Sequence, residues 1–224
     1  MDIKDTSTKV LLVGVVVLTG LFVVGAVFWG GKPAAAPTVD VAAVKTEGVQ
    51  FIGKADAPVT VIEWFDYQCP ACKQFETSAL SQVVTDYVDT GKVKMVFKDM
   101  AFLGEDSTTA AEYGRAVWKL YPDKYFAWRT AMFGAQDDEG DKGFGDAASI
   151  DKLTAMIPGI DAVKVAADVK LNASAYQAAI LADKADGQKI GVNSTPSFVI
   201  GNQLFQGAGP YATFQAAIDP LLAK

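Results

Sequence analysis

The 224-residue sequence predicts an α/β domain with one sheet and a mostly helical segment inserted in its middle, preceded by one N-terminal transmembrane helix. Three observations predict it. Val59-Thr60-Val61-Ile62-Glu63-Trp64-Phe65 is nearly continuous in apolar and β-branched residues, as a strand buried on both faces is. From Pro70 the apolar spacing becomes that of a helix, and from Lys92 it reverts to alternation, giving a strand–helix–strand unit suited to parallel pairing. Residues from about 107 to 186 then read as helix, and strand patterns return only at Ser197.

Taken in order, residues 1–9 carry Lys4 and Lys9 and read as a cytoplasmic N-terminus. Val10 to Trp29 is an uncharged, mostly apolar run of 20 residues, interrupted by Gly14, Thr19, Gly20 and Gly25. At about 1.5 Å per residue it spans roughly 30 Å, the thickness of a bilayer core. A cleaved signal peptide competes with this anchor, with Ala34-Ala35-Ala36 as its small-residue site. The run is longer than the usual h-region of about 7–15 residues, and Pro37 follows the candidate site directly. Both readings put the rest of the chain outside the cytoplasm, where disulfides persist. Residues 30–49 are expected to link the span to a domain covering residues 50–224.

Within the domain, Phe75, Leu80, Val83, Val84, Tyr87 and Val88 mark one helix face, and Gly91 supplies a C-terminal stop. Val93, Met95 and Phe97 alternate along the next strand. The helical insertion breaks at Pro122 and at Pro158-Gly159. Strands are expected at Ser197–Ile200 and Leu204–Gln206, with Gly201-Asn202 as a two-residue type II′ turn. Pro210 opens a last amphipathic helix through Phe214, Ile218 and Leu221.

Composition narrows the chemistry. The net charge of −6, with no Lys/Arg run, argues against nucleic acid as a partner. The chain has no histidine, so a Ser-His-Asp or Cys-His hydrolase cannot be built in its usual form. The two cysteines form Cys69-Pro70-Ala71-Cys72 at the end of the first strand. Zinc wants four ligands, drawn mostly from cysteine and histidine, and no third cysteine exists. No metal is therefore expected at this motif. A reversible dithiol is the leading reading, and it needs no cofactor because the cysteines are themselves the redox group. A permanent disulfide staple is the bland alternative. Closing so small a ring removes little unfolded-chain entropy, which makes it a poor stabiliser.

The run Ala57 to Cys72, the segment Ser194-Thr195-Pro196-Ser197-Phe198 ahead of a hairpin, and the helical insertion together resemble the DsbA-like thiol–disulfide oxidoreductases. They resemble especially the membrane-anchored BdbD type of Gram-positive bacteria, over residues from about 50 to the C-terminus. The resemblance implies a thioredoxin fold carrying a helical subdomain, with Pro196 cis and facing the two cysteines. It implies reduced exported proteins or peptides as substrates, and a quinone-linked membrane protein that reoxidises the dithiol. It also implies that Thr195, Pro70 and Ala71 lie against the bound substrate. Ala71 stands where DsbA itself has histidine, so the imidazole that stabilises the thiolate there is missing.

Pro70 suits the first helical position, which puts Cys69 at a helix N-terminus where unpaired N–H groups favour an anion. The Cys69 thiol is expected to ionise below its free value of about 8.5, with Cys72 one turn inside and less reactive. Glu63, a carboxylate within an apolar strand, matches by resemblance the family's buried acid, a proton relay for Cys72. The plainer reading is a Glu paired with a lysine such as Lys98, or turned to solvent at the strand edge. A trans proline opening an edge strand is likewise the plain reading of Pro196. The acidic stretch Asp137-Asp138-Glu139-Gly140-Asp141 does not fit EF-hand spacing and reads as a solvated loop. The sequons at Asn172 and Asn193 read as chance, and Trp118, Tyr121, Tyr125, Phe126 and Trp128 as packing within the insertion.

Overall fold

The computed structural model describes residues 36–137 and 143–223. The expected transmembrane run 10–29, the segment before it and most of the acidic stretch lie outside the described residues. Among those described, no helix is long and apolar enough to cross a membrane.

Five strands form one sheet: β1 (Gln50–Ile52), β2 (Val59–Phe65), β3 (Val93–Asp99), β4 (Ser197–Ile200) and β5 (Gln203–Gln206), in the order β1-β3-β2-β4-β5. β2 and β3 run parallel, with Val59 opposite Val93 and Phe65 opposite Asp99; the other pairings are antiparallel. The parallel pair is joined by α1 (Pro70–Thr77), α2 (Ala79–Val83) and a wider π-helical turn (Val84–Val88). The single helix expected there is thus interrupted at Ser78, whose ψ of −82° leaves the helical region. Gly91, at a φ of +76°, ends the turn as the sequence suggests. In the β4–β5 hairpin Gly201 takes a φ of +61° and Asn202 does not go positive, as a type II′ turn requires.

The insertion consists of α3 (Glu105–Leu120), α4 (Tyr125–Ala135), α5 (Ala147–Ala155) and α6 (Ala162–Lys189), followed after β5 by α7 (Tyr211–Leu222). Pro210 caps α7 from outside rather than opening it. Alternation along β2 sends its residues to two cores. Val61 and Phe65 join Phe75, Phe97, Trp128 and Phe133 on the face covered by α1 and the insertion. Ile62 and Trp64 point the other way, towards Val96, Val199 and Leu204. There α6 approaches so closely that a Cβ on Gly187 would lie 2.7 Å from the Trp64 indole nitrogen, which donates to the Asp183 carbonyl.

Val39, Val41, Val44 and Val49, expected in the linker, pack on this second face. Val44 and Val49 are buried there. Thr38 bridges to Gln203, Val39 N–H donates to the Asn202 carbonyl at 2.8 Å, and Leu204 N–H donates to the Pro37 carbonyl at 2.9 Å. β1, which lacks any alternation long enough to read as a strand, is held by its pairing with β3.

Candidate active site

Cys69 is the residue immediately before α1, with Pro70 at the first helical position. Its approach is fixed by Asp66, whose Oδ1 accepts from the Gln68 N–H at 2.9 Å and whose Oδ2 accepts from Phe102 and Leu103 N–H at 2.9 and 3.3 Å. The Asp66 carbonyl accepts from Cys69 N–H at 3.1 Å, closing the turn. Gln136 at the end of α4 donates from Nε2 to the Tyr67 carbonyl at 2.6 Å. The insertion therefore holds the strand-to-helix turn directly.

Both cysteines are free thiols in this structure. The Cys69 thiol donates to the Thr195 carbonyl at 3.4 Å. The Thr195–Pro196 bond is cis, and the segment 126 residues downstream thereby lies against the motif. Thr195 Oγ1 is buried without a partner. Pro70 is exposed and Ala71 half-buried.

The two sulfurs are electrostatically unlike. Cys69 is 7% exposed and Cys72 not at all. The Cys69 thiol is lowered from the ordinary 9.0 to about 6, first by the Cys72 thiol, against the opposing effect of burial, and further by Thr195 and the Cys72 and Ala71 N–H groups. Cys72 is pushed well above the ordinary value by burial, then by Cys69 and by the charge of Glu63. One thiol is thus ready to ionise near neutral pH while its neighbour keeps its proton.

Glu63 does not pair with Lys98. In the parallel register Glu63 lies opposite Phe97 and Trp64 opposite Lys98, so the lysine points to the other face of the sheet. There it binds Asp183 at 2.7 Å and Asp186 at 3.2 Å. Nor is Glu63 at an exposed edge: it is fully buried, and its Oε2 accepts from Arg129 Nη2 of α4 at 3.0 Å. The same nitrogen lies 3.3 Å from Glu76 of α1. The remaining guanidinium surface is enclosed by Phe97, Phe65 and Phe133, at 4.1, 4.4 and 4.9 Å from the ring centroids. Burial raises Glu63 from 4.5 to about 7, more than Arg129 lowers it. Arg129 is the residue that sequence reasoning missed. The signal was available: it is the single charge in the apolar helix Tyr125 to Phe133, as Glu63 is in its strand. Among the described residues no cluster of three or more His, Cys, Asp or Glu could hold a metal; Asp137 Oδ2 accepts from Phe144 N–H at 3.1 Å.

The family model described as Thioredoxin matches residues 45–220. The chain belongs to the thioredoxin family. Within that family it is 28% identical over 176 residues to the probable disulfide bond formation protein D of Bacillus anthracis, covering 78% of this chain and 79% of that one. It is 27% identical over 182 residues to disulfide bond formation protein D of Bacillus subtilis, covering 77% of each. Among solved structures, oxidised BdbD from Bacillus subtilis shares the fold with a TM-score of 0.73 at 24% identity, over 86% of this chain and all of that one. The thiol-disulfide exchange protein alpha-DsbA2 from Wolbachia pipientis has a TM-score of 0.68 at 27% identity, over 78% and 88%.

Proposed function

We propose that this chain is a thiol–disulfide oxidoreductase working as an oxidase, donating a Cys69–Cys72 disulfide to reduced exported proteins. The observation that carries the reading is the contrast between the two sulfurs: Cys69 ionises near pH 6 at the mouth of α1, while buried Cys72 holds its proton. A thiolate stabilised at Cys69 favours the reduced protein and makes the disulfide a better oxidant. A substrate thiolate attacks Cys69 Sγ, the S–S bond breaks, and the electron pair leaves on Cys72, which takes up a proton. The substrate's second thiolate then attacks the mixed disulfide and releases Cys69 as a thiolate. The substrate is oxidised by two electrons and the dithiol is reduced by two.

Glu63 supplies the Cys72 proton in this scheme. It is the carboxyl whose charge is felt at Cys72, and at about 7 it holds or yields a proton in the working range. Thr195, beside Cys69, offers its backbone to an extended substrate peptide, and Pro70 and Ala71 form the surface it crosses. A quinone-linked membrane partner takes the two electrons back. The relatives named disulfide bond formation protein D support the direction of flow.

Equilibration with glutathione tests the oxidase reading. A potential more oxidising than about −230 mV is expected, whereas one near or below the thioredoxin value of about −270 mV makes the chain a reductase.

The run Val10 to Trp29 anchors the domain outside the cytoplasm in this reading. Intact mass of membrane-extracted protein should include that run, and protease added to whole cells should degrade the domain. Protection until lysis would refute the orientation.

A further inference from the structure

The proton attributed to Glu63 has a counterpart that the exchange reaction itself does not name. Three charged side chains from three elements meet under the active-site helix: Glu63 of β2, Glu76 of α1 and Arg129 of α4. Their side chains are 0%, 2% and 0% exposed. Arginine does not give up its proton, so one fixed positive charge faces two carboxyls. With both ionised the buried trio carries one excess negative charge; with one protonated it is neutral. Burial favours the neutral count. Glu63 Oε1 and Glu76 Oε2 both lack a hydrogen-bond partner, but Glu76 Oε2 lies 3.3 Å from Arg129 Nη2 and Glu76 Oε1 accepts from Thr130 Oγ1 at 3.0 Å, so of the two carboxyls Glu63 is the less anchored.

We infer that Arg129 is a positioning residue for disulfide exchange: suspended by the helical insertion between Glu63 and Glu76, it sets whether Glu63 holds a proton when Cys72 needs one. The inference rests on the exchange reading above. The groups facing Glu63 are Arg129 and Tyr125 from α4, Glu76 from α1, and Cys69 and Cys72 at the head of α1. The cysteines change charge during the reaction, and Tyr125 is itself held protonated by burial. Arg129 and Glu76 are the neighbours whose effects on Glu63 oppose each other: the guanidinium favours its ionised form and the carboxylate disfavours it. Neutralising one should therefore move Glu63 the opposite way from weakening the other.

The test measures the Glu63 titration by carbon NMR of the side-chain carboxyls, and the pH profile of peptide-dithiol oxidation by the oxidised full-length protein. In Glu76→Gln the Glu63 midpoint and the matching inflection should fall by about one unit or more; in Arg129→Lys, whose shorter side chain withdraws the charge from the place that Nη2 holds between the two carboxyls, they should rise. Glu63→Gln should erase the inflection and make both other changes silent in the rate profile. An unmoved midpoint in folded Glu76→Gln overturns the inference, whether or not Arg129→Lys folds. So does a shift of both variants in one direction. If the wild-type protein fails to oxidise the dithiol while the NMR midpoints still move oppositely, the exchange reading fails and the charge coupling stands.

Discussion

Cys69→Ser is expected to abolish oxidation of dithiol substrates, and Cys72→Ser to accumulate mixed disulfides through Cys69. Without the buried thiol nothing within the chain resolves the adduct. Non-reducing gels of client proteins distinguish the two, and trapping through Cys72 in the Cys69→Ser protein would reverse the assignment. The same variant carries a stability signature. The folded Cys69 thiol sits near 6, below its ordinary 9.0, so its contribution is present above the unfolded value and is lost as pH falls through about 6. Relative to reduced Cys69→Ser, in which the Glu63 contribution is shared, reduced wild-type protein should thus gain stability as pH rises from about 6 to 8.5, on the order of 1 kcal/mol at pH 7 after allowance for solvent screening. At higher pH the gain is offset by Cys72, whose thiol resists ionisation in the fold while its unfolded counterpart does not. Oxidised protein should lack this relative rise in denaturant titrations across this range.

Arg129→Met should lower stability by about 3–5 kcal/mol, because it leaves Glu63 and Glu76 buried without their counter-charge and empties part of the cage of Phe65, Phe97 and Phe133. The loss should be larger at pH 8 than at pH 5. Glu63 is already raised with the arginine present and rises further without it, so the penalty of its charge is absent below about 4.5 and grows with pH. Adding Glu63→Gln to Arg129→Met should recover part of the loss at pH 8. A decrease under about 1 kcal/mol, measured by urea unfolding, would mean the site tolerates two unpaired carboxyls and that water reaches it.

The fold was legible where a pattern is local. The apolar run of β2, the alternation of β3, the hairpin at Gly201-Asn202 and the helical insertion all carry periodicity or turn chemistry within a few residues. The cysteines were legible because a lone C-x-x-C admits few uses, whereas the place of Thr195–Pro196 beside them came from the family resemblance alone. What escaped was pairing across distance. Glu63 and Arg129 are 66 residues apart and meet only because α4 crosses the face of the sheet that Glu63 shares with Phe65. Lys98 was the natural guess from composition, and the parallel register puts it on the wrong face. Residues 36–49 and β1 escaped for the same reason: their structure comes from the strands they join rather than from their own sequence.

The pairing of residues 37–39 with β5 bears on where the domain can be cut. The family model's match begins at Lys45, and a chain shortened to that point keeps every reacting group. It also bares the Leu204 N–H and the Asn202 carbonyl at the outer strand of the sheet. An open ladder of that kind is what a neighbouring molecule adds to, strand against strand, in aggregation. Chemistry and solubility are therefore carried by different stretches of this chain, and the second stretch lies outside the residues that the family model matches.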